Sequence, residues 1–90
     1  MTSLSFNLAA IWHRFKAEFP DADVQVWSGS LTFCRAIELG VRLDFGDLED
    51  LELRRAIALT DLRHSRDPKS LIDVTVEKMV AELRRATGRR

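Results

Sequence analysis

The chain has 90 residues, 46% of them hydrophobic, and its 14 Lys and Arg balance its 14 Asp and Glu to a formal net charge of zero. This length predicts one domain over residues 1–90, and the neutral total excludes a protein that holds nucleic acid through net charge alone. The apolar content excludes a disordered chain, and a single cysteine excludes a disulfide scaffold.

The sequence carries no signal for a membrane or for secretion. No run approaches the roughly 18 apolar residues that a membrane-spanning helix needs. The first residues lack the charged region of a signal peptide. We therefore expect a cytoplasmic protein without a membrane partner.

The first predicted element is an amphipathic helix over residues 4–19. Its apolar side chains recur at helical spacing and fall within an arc of about 100°. They are Leu4, Leu8, Ile11, Trp12, Phe15 and Phe19. Ser3 or Ser5 fits the N-cap, and Pro20 ends the helix because proline lacks the N–H group that a helix needs.

A short β element is predicted within residues 23–46. The run from Val24 to Trp27 alternates apolar and polar residues, as a short strand does. Val41, Leu43 and Phe45 alternate as well, and they form an extended segment that can pair with the first run.

Residues 30–39 fit two templates. A helix would have Ser30 as its N-cap and Gly40 just beyond its end, and it accounts for every residue of the segment. A strand would place four apolar residues on one face, but Arg35 would interrupt that face. We predict the helix and keep the strand as the alternative.

A third helix is predicted over residues 47–64, with Asp47 as its N-cap. One of its faces is apolar and consists of Leu48, Leu51, Ala58, Leu59 and Leu62. Leu53 and Ile57 project from roughly the opposite side of such a helix. They are either core residues between two neighbours or a second apolar face that contacts a partner.

A fourth helix is predicted over residues 70–86, capped by Ser70, and residues 87–90 are expected to form a flexible basic tail. The predicted fold is therefore mainly α. It is a compact bundle of three to four helices at residues 4–19, 30–39, 47–64 and 70–86, with a short β element. The alternative is an α+β fold with the element order α-β-β-β-α-α.

No catalytic constellation is visible. Cys34 with His13 or His64 could supply a nucleophile and a base, but nothing in the sequence brings these residues together. A lone cysteine between apolar residues is more often a small buried side chain. We expect a protein that is not an enzyme.

No metal or cofactor site is predicted either. Asp44, Asp47 and Asp50 follow one another at a spacing of three, whereas a calcium loop needs ligands at alternate positions and a glutamate at its twelfth. The chain has only four glycines, and none belongs to a phosphate-binding loop.

The zero net charge hides two opposed halves. Residues 1–62 hold six Lys and Arg against ten Asp and Glu, a charge of −4, and residues 63–90 hold eight against four, a charge of +4. The basic residues that could contact phosphates or an acidic protein are Arg63, Arg66, Lys69, Arg84, Arg85, Arg89 and Arg90.

Two further features predict contact with a partner. Trp27 adjoins the turn-like Ser28-Gly29-Ser30 and is either a lid on the core or an exposed anchor of an interface. Leu53 and Ile57 form a candidate apolar seam, which Arg54 and Asp61 flank.

These patterns favour a small, non-catalytic protein–protein interaction module, such as an adaptor, an inhibitor or an assembly factor. We expect it to form a homodimer or to dock on a larger protein, with charged rims of opposite sign setting the orientation. The alternative is a small nucleic-acid-binding regulator that uses the basic carboxy-terminal residues.

Overall fold

The computed structural model describes residues 7–46 and 49–88 as an α+β fold. The elements are α1 (Leu8–Glu18), β1 (Asp23–Leu31), β2 (Ala36–Asp44), β3 (Leu51–Ala58), α2 (Leu59–His64) and α3 (Pro68–Thr87). The prediction of a mainly α bundle is therefore wrong, because a three-stranded antiparallel sheet stands where two of its helices were expected. The observed order is the one given as the alternative.

The predicted helix over residues 30–39 is instead a β-hairpin. β1 runs to Leu31, a turn covers residues 32–35, and β2 begins at Ala36. The backbone reverses at Arg35, whose φ of 46° lies in the left-handed region. Neither glycine nor proline marks this turn, so the sequence lacks the usual signal for it.

The predicted helix over residues 47–64 is wrong along its central part. Residues 51–58 form β3, and only Leu59–His64 is helical, as α2. Leu53 and Ile57 belong to the same face of the strand, because side chains in a strand alternate with a period of two. Asp47 and Leu48, which were assigned to the start of this helix, lie outside the described residues.

The first predicted helix is confirmed as α1. Its N-cap is Asn7, whose side-chain Oδ1 accepts a hydrogen bond from the backbone N–H of Ala10 at 3.1 Å. The proposed caps Ser3 and Ser5 lie outside the described residues. The helix ends at Glu18, just before Phe19 and Pro20.

The fourth predicted helix is confirmed as α3, with shifted ends. Asp67 rather than Ser70 is the N-cap, and it accepts a hydrogen bond from the Ser70 backbone N–H at 3.3 Å. Pro68 occupies the first turn, where its missing N–H costs nothing. Thr87 is the last helical residue, so the expected tail does not begin at 87; Arg89 and Arg90 lie outside the described residues.

The sheet has the order β1-β2-β3, with both pairs antiparallel. Val24 lies opposite Leu43, and Val26 lies opposite Val41, so the predicted pairing of these two segments is confirmed. The β element is much longer than expected, since nine residues of β1 pair with nine of β2, and eight of β2 pair with eight of β3.

One face of the sheet packs against α1 and α3. The core residues come from α1 and the segment that follows it, from β1 and β2, and from α3. They are Ile11, Phe15, Phe19 and Ala22; Val24, Leu39, Val41 and Leu43; and Val76, Met79, Val80 and Leu83. Arg14 also joins the two helices, because its Nε and Nη2 each donate to the Glu77 carboxylate at 2.7 Å. The sheet is thus covered on this side by a single helical layer.

The opposite side of the sheet is called the open face below. It carries Asp23, Gln25, Trp27, Gly29 and Leu31 of β1, Ala36, Glu38, Gly40, Arg42 and Asp44 of β2, and Glu52, Arg54, Ala56 and Ala58 of β3. Eight of these fourteen residues are exposed. In the part of the chain that the structure describes, no helix is long and apolar enough to cross a membrane.

Candidate partner-binding surface

Trp27, Gly40 and Arg54 form one row across the three strands of the open face. Trp27 lies opposite Gly40 in the β1–β2 pair, and Gly40 lies opposite Arg54 in the β2–β3 pair. The side chains of the two outer residues can therefore meet above the glycine between them.

The indole ring of Trp27 rests on the backbone of Gly40. A Cβ atom at position 40 would lie 2.5 Å from Nε1 of Trp27 and closer still to two carbons of the ring. An aromatic side chain that covers a glycine on the neighbouring strand shields its backbone from water. Gly40 is buried as a result, and Trp27 is half-buried.

Arg54 completes the row. Its guanidinium carbon lies 5.7 Å from the centroid of the Trp27 ring, within the range of a cation–π contact. Its Nη2 lies 3.1 Å from a carboxylate oxygen of Glu52, and its Nη1 lies 3.8 Å from one of Glu38. Each exposed ion pair is weak, but together the three contacts hold Arg54 beside the ring.

The row divides the open face into two unlike halves. Toward the hairpin turn the face has one charged residue, Glu38, among Gly29, Leu31, Ala56 and Ala58, and Ala36 on the same side is buried. Away from the turn it carries Asp23, Gln25, Arg42, Asp44 and Glu52. An apolar area beside a polar border is the usual composition of a protein interface.

The structure separates the five residues predicted to bind a partner. It brings Trp27 and Arg54 together on the open face. Ile57 is a buried core residue, and Leu53 packs against the core from the covered face, so neither is available to a partner. Asp61 is exposed on α2, away from that row.

Sequence reasoning missed Gly40 and Glu38 as members of this surface. The sequence pattern places Gly40 just beyond the end of a predicted helix. The signal that identifies it is the register of the hairpin, which places the glycine opposite Trp27. A strand interior gains little from glycine, so a glycine there often marks a close approach of another group.

The predicted basic residues that the structure describes lie near the two ends of α3. Arg63, Arg66 and Lys69 are exposed around the start of α3, whereas Arg84 and Arg85 lie near its end. Lys69 and Arg84 are fifteen positions apart along the helix, a distance of about 22 Å. The two ends of the helix therefore carry separate positive groups.

The positive charge near the end of α3 is partly neutralised by neighbouring carboxylates. Arg84 forms an ion pair with Glu18 of α1. Glu82 binds Arg55 of β3, and this hydrogen bond, helped by the charge of nearby Arg85, lowers the pKa of the Glu82 carboxyl. Arg89 and Arg90 lie outside the described residues.

The residues considered for catalysis lie in different elements. Cys34 is exposed in the hairpin turn, so the expectation that it would be buried is wrong. His13 lies on α1, where its ring meets Trp12 edge-on at 5.1 Å, and His64 ends α2. Over residues 7–46 and 49–88, no three His, Cys, Asp or Glu side chains lie close enough to hold a metal ion.

Comparison with known proteins finds no family model, no curated protein and no solved structure that matches this chain. The surface around Trp27 therefore stands on its own geometry.

Proposed function

We propose that this protein is a small, non-catalytic protein–protein interaction module, such as an adaptor, an inhibitor or an assembly factor. It docks on its partner through the open face, with Trp27 at the centre of the contact. In the same proposal it acts in the cytoplasm, where a free exposed cysteine such as Cys34 is kept reduced.

The observation that carries this proposal is the arrangement of Trp27 over Gly40 beside Arg54. Tryptophan and arginine are the residue types that most often dominate binding energy at interfaces. Here both side chains already have defined neighbours before any partner arrives. Little side-chain entropy is then lost on docking, which favours affinity.

The charges of the open face favour a partner with basic groups. Asp23, Glu38, Asp44 and Glu52 outnumber the two arginines of this face. Both arginines are paired: Arg54 with two of these carboxylates and Arg42 with Asp50, where Nε donates to Oδ2 at 3.0 Å. A complementary surface has an apolar centre and a basic rim, and such complementarity mainly raises the association rate.

The test is affinity capture from native cells with three folded baits: the native chain, Trp27→Ala and Val74→Ala. Val74 is an exposed apolar residue of α3, so its variant is a matched control on another surface. We expect a protein that the native chain and Val74→Ala retain and Trp27→Ala loses. The captured protein, once purified, should bind Trp27→Ala at least about tenfold more weakly, a difference of 1.4 kcal/mol.

Equal binding of that purified protein to the native chain and to Trp27→Ala would overturn the proposal. Circular dichroism of each bait confirms that a lost interaction does not reflect a lost fold.

A further inference from the structure

β1 is an edge strand whose outer backbone groups have no strand partner in the described residues. Trp12 of α1 donates a hydrogen bond from its Nε1 to the Val24 carbonyl at 2.8 Å. In antiparallel sheets a residue directs its N–H and C=O to the same side, and successive residues alternate. Val26, Ser28 and Ser30 therefore direct their backbone groups to the free edge as Val24 does.

Helix α1 covers only the beginning of this edge. Besides the Trp12 contact, Lys16 donates to the Ala22 carbonyl at 2.6 Å. Farther along β1, Ser28, Gly29 and Ser30 are exposed. The accessible part of the edge is thus residues 25–31.

This edge lacks the features that usually prevent strand pairing. Residues 24–34 contain no charged residue and no proline, in a chain of which 31% is charged. Natural edge strands are commonly protected by charges, prolines or bulges. The other edge strand, β3, carries Glu52, Arg54 and Arg55. The two edges of the same sheet therefore differ, and β1 is the one open to pairing.

We propose that the free edge of β1 pairs antiparallel with the same edge of a second copy of this chain, which gives a continuous six-stranded sheet. This contact is independent of docking on the open face. The two-fold arrangement that uses all of residues 25–31 is centred on Ser28, which lies opposite Ser28 of the second copy. Such a two-fold contact closes on itself and yields a dimer rather than a fibre.

The side chains are compatible with this register. Val26 faces Ser30 of the second copy and Trp27 faces Gly29, so no charges meet. Trp27 leans inward over Gly40, away from the edge, and no atom lies within 4 Å of the place of a Cβ at Gly29. Two uncharged edges can then approach to the ordinary strand spacing of about 4.8 Å.

The same register gives Phe33 a neighbour. Phe33 is fully exposed at the tip of the hairpin, and no apolar side chain of the described residues shields it. With Ser28 at the centre, Leu31 lies opposite Gln25 of the second copy, so the turn that carries Phe33 lies just beyond the paired segment, toward the connection between the second copy's α1 and β1. The tip of each hairpin thus reaches the α1–β1 corner of the other copy.

A register-specific disulfide tests this pairing. The variant Ser28→Cys, made with Cys34→Ser, places two cysteines at the two-fold axis, where the Cα atoms of a hydrogen-bonded antiparallel pair lie about 5.5 Å apart. That distance suits a disulfide. We expect a cross-linked dimer on mild oxidation.

The control is Ser30→Cys in the same background. Its two cysteines lie about 14 Å apart along the strands of the dimer, so they should not form a disulfide. Equal cross-linking of the two variants would overturn the register.

Sedimentation of the native chain tests the dimer without engineered cysteines. We expect a dimer in the micromolar range, and Ser28→Lys should raise its dissociation constant at least about tenfold while the circular dichroism spectrum stays native. Ala56→Lys, on the other edge strand, is the control and should leave the dimer intact.

A native chain that remains monomeric throughout the micromolar range, or a dimer that only Ala56→Lys weakens, would overturn the proposal. Neither result bears on capture through Trp27, so the two proposals fail separately.

Discussion

Trp27 occupies the space that a side chain at position 40 would need. A Cβ there would meet the indole ring, and the ring is held by its contact with the glycine backbone and with Arg54. The ring is half-buried on the outer face of the sheet, so it can swing into water without disturbing the core. Glycine at position 40 therefore determines the position of the Trp27 ring, and the chain can fold without it.

Gly40→Ala should displace Trp27 from the sheet. We expect a loss of about 1 kcal/mol, at the low end of overpacking costs, because the displaced ring lies at the surface. The measurement is Trp27 fluorescence in a Trp12→Phe background, where the emission should shift to longer wavelength as the ring enters water.

Gly29→Ala in the same background is the matched control. The space around a Cβ at position 29 is open, so the emission wavelength should not shift and the free energy of unfolding should not fall. An unshifted emission in Gly40→Ala would show that the ring does not rest on the glycine.

At the level of elements, β3 and α2 explain the main error of the sequence-based prediction. β3 passes directly into α2 at Leu59, with no glycine, proline or turn sequence between them. Arg55 also interrupts the apolar alternation, because it lies on the covered face and reaches Glu82 of α3. Strand and helix together then resemble one long helix with two apolar faces.

The long amphipathic helices were predictable because their apolar stripes repeat over three or more turns. The hairpin was not, since Arg35 supplies the left-handed turn position that glycine or asparagine usually takes. Of the candidate surface, Trp27 and Arg54 could be named from the sequence. Their neighbour Gly40 could not, because it depends on the strand register.

Placing acidic residues at Leu53 and Ile57 together should unfold the protein. Both side chains face the covered side of β3, and an unpaired buried carboxylate costs several kcal/mol. A chain of this length has a total stability of about 5–13 kcal/mol. Circular dichroism of Leu53→Asp with Ile57→Asp should therefore show a mostly unfolded chain.

Ala56→Asp provides the comparison, because Ala56 lies between them in sequence but is exposed on the open face. It should fold, with a change within about 1 kcal/mol. If the double variant instead gave a folded monomer, these residues would lie at a surface and the assignment of β3 would be wrong.

The contact between α1 and α3 should make stability depend on pH. The two hydrogen bonds from Arg14 lower the pKa of the Glu77 carboxyl below its ordinary value of 4.5. A carboxyl whose pKa is lower in the folded state stabilises the fold above its unfolded pKa, and this contribution is lost as pH falls through the folded pKa. Both side chains are well exposed, so it is worth roughly 0.5 kcal/mol.

The measurement is the free energy of unfolding of the native chain and of Glu77→Gln, obtained with denaturant at several pH values. The native chain should be the more stable at pH 7, and the difference should shrink once the pH falls below about 4.5. Asp73→Asn, which removes another exposed carboxylate of α3, is the control for the loss of one negative charge. A difference that stayed constant down to pH 2 would mean that the Arg14–Glu77 pair does not contribute.

For the whole molecule, binding to nucleic acid depends on where the charges lie in the folded protein rather than on where they lie along the sequence. The carboxy-terminal residues 63–90 carry a charge of +4, but Lys69 near the start of α3 and Arg84 near its end lie about 22 Å apart. Arg84, at the far end, is already paired with Glu18. On the open face, four carboxylates outnumber two arginines, both of which are paired. A phosphate backbone therefore meets no continuous positive stripe on the described residues.

This arrangement predicts weak binding to nucleic acid with a shallow dependence on salt. Among the described residues, Arg63, Arg66 and Lys69 follow one another within seven positions and are all exposed. Binding through these three makes the logarithm of the binding constant for duplex DNA fall against the logarithm of salt with a slope no steeper than about −2.7. Titration of labelled duplex DNA at two salt concentrations measures this slope.

Replacing all three residues by glutamine should remove what binding there is, whereas Arg84→Gln should change little. A slope steeper than about −4 would require contacts beyond this group. It would then favour a nucleic-acid-binding regulator over a protein-binding module, because a cluster of three cations cannot release that many counterions.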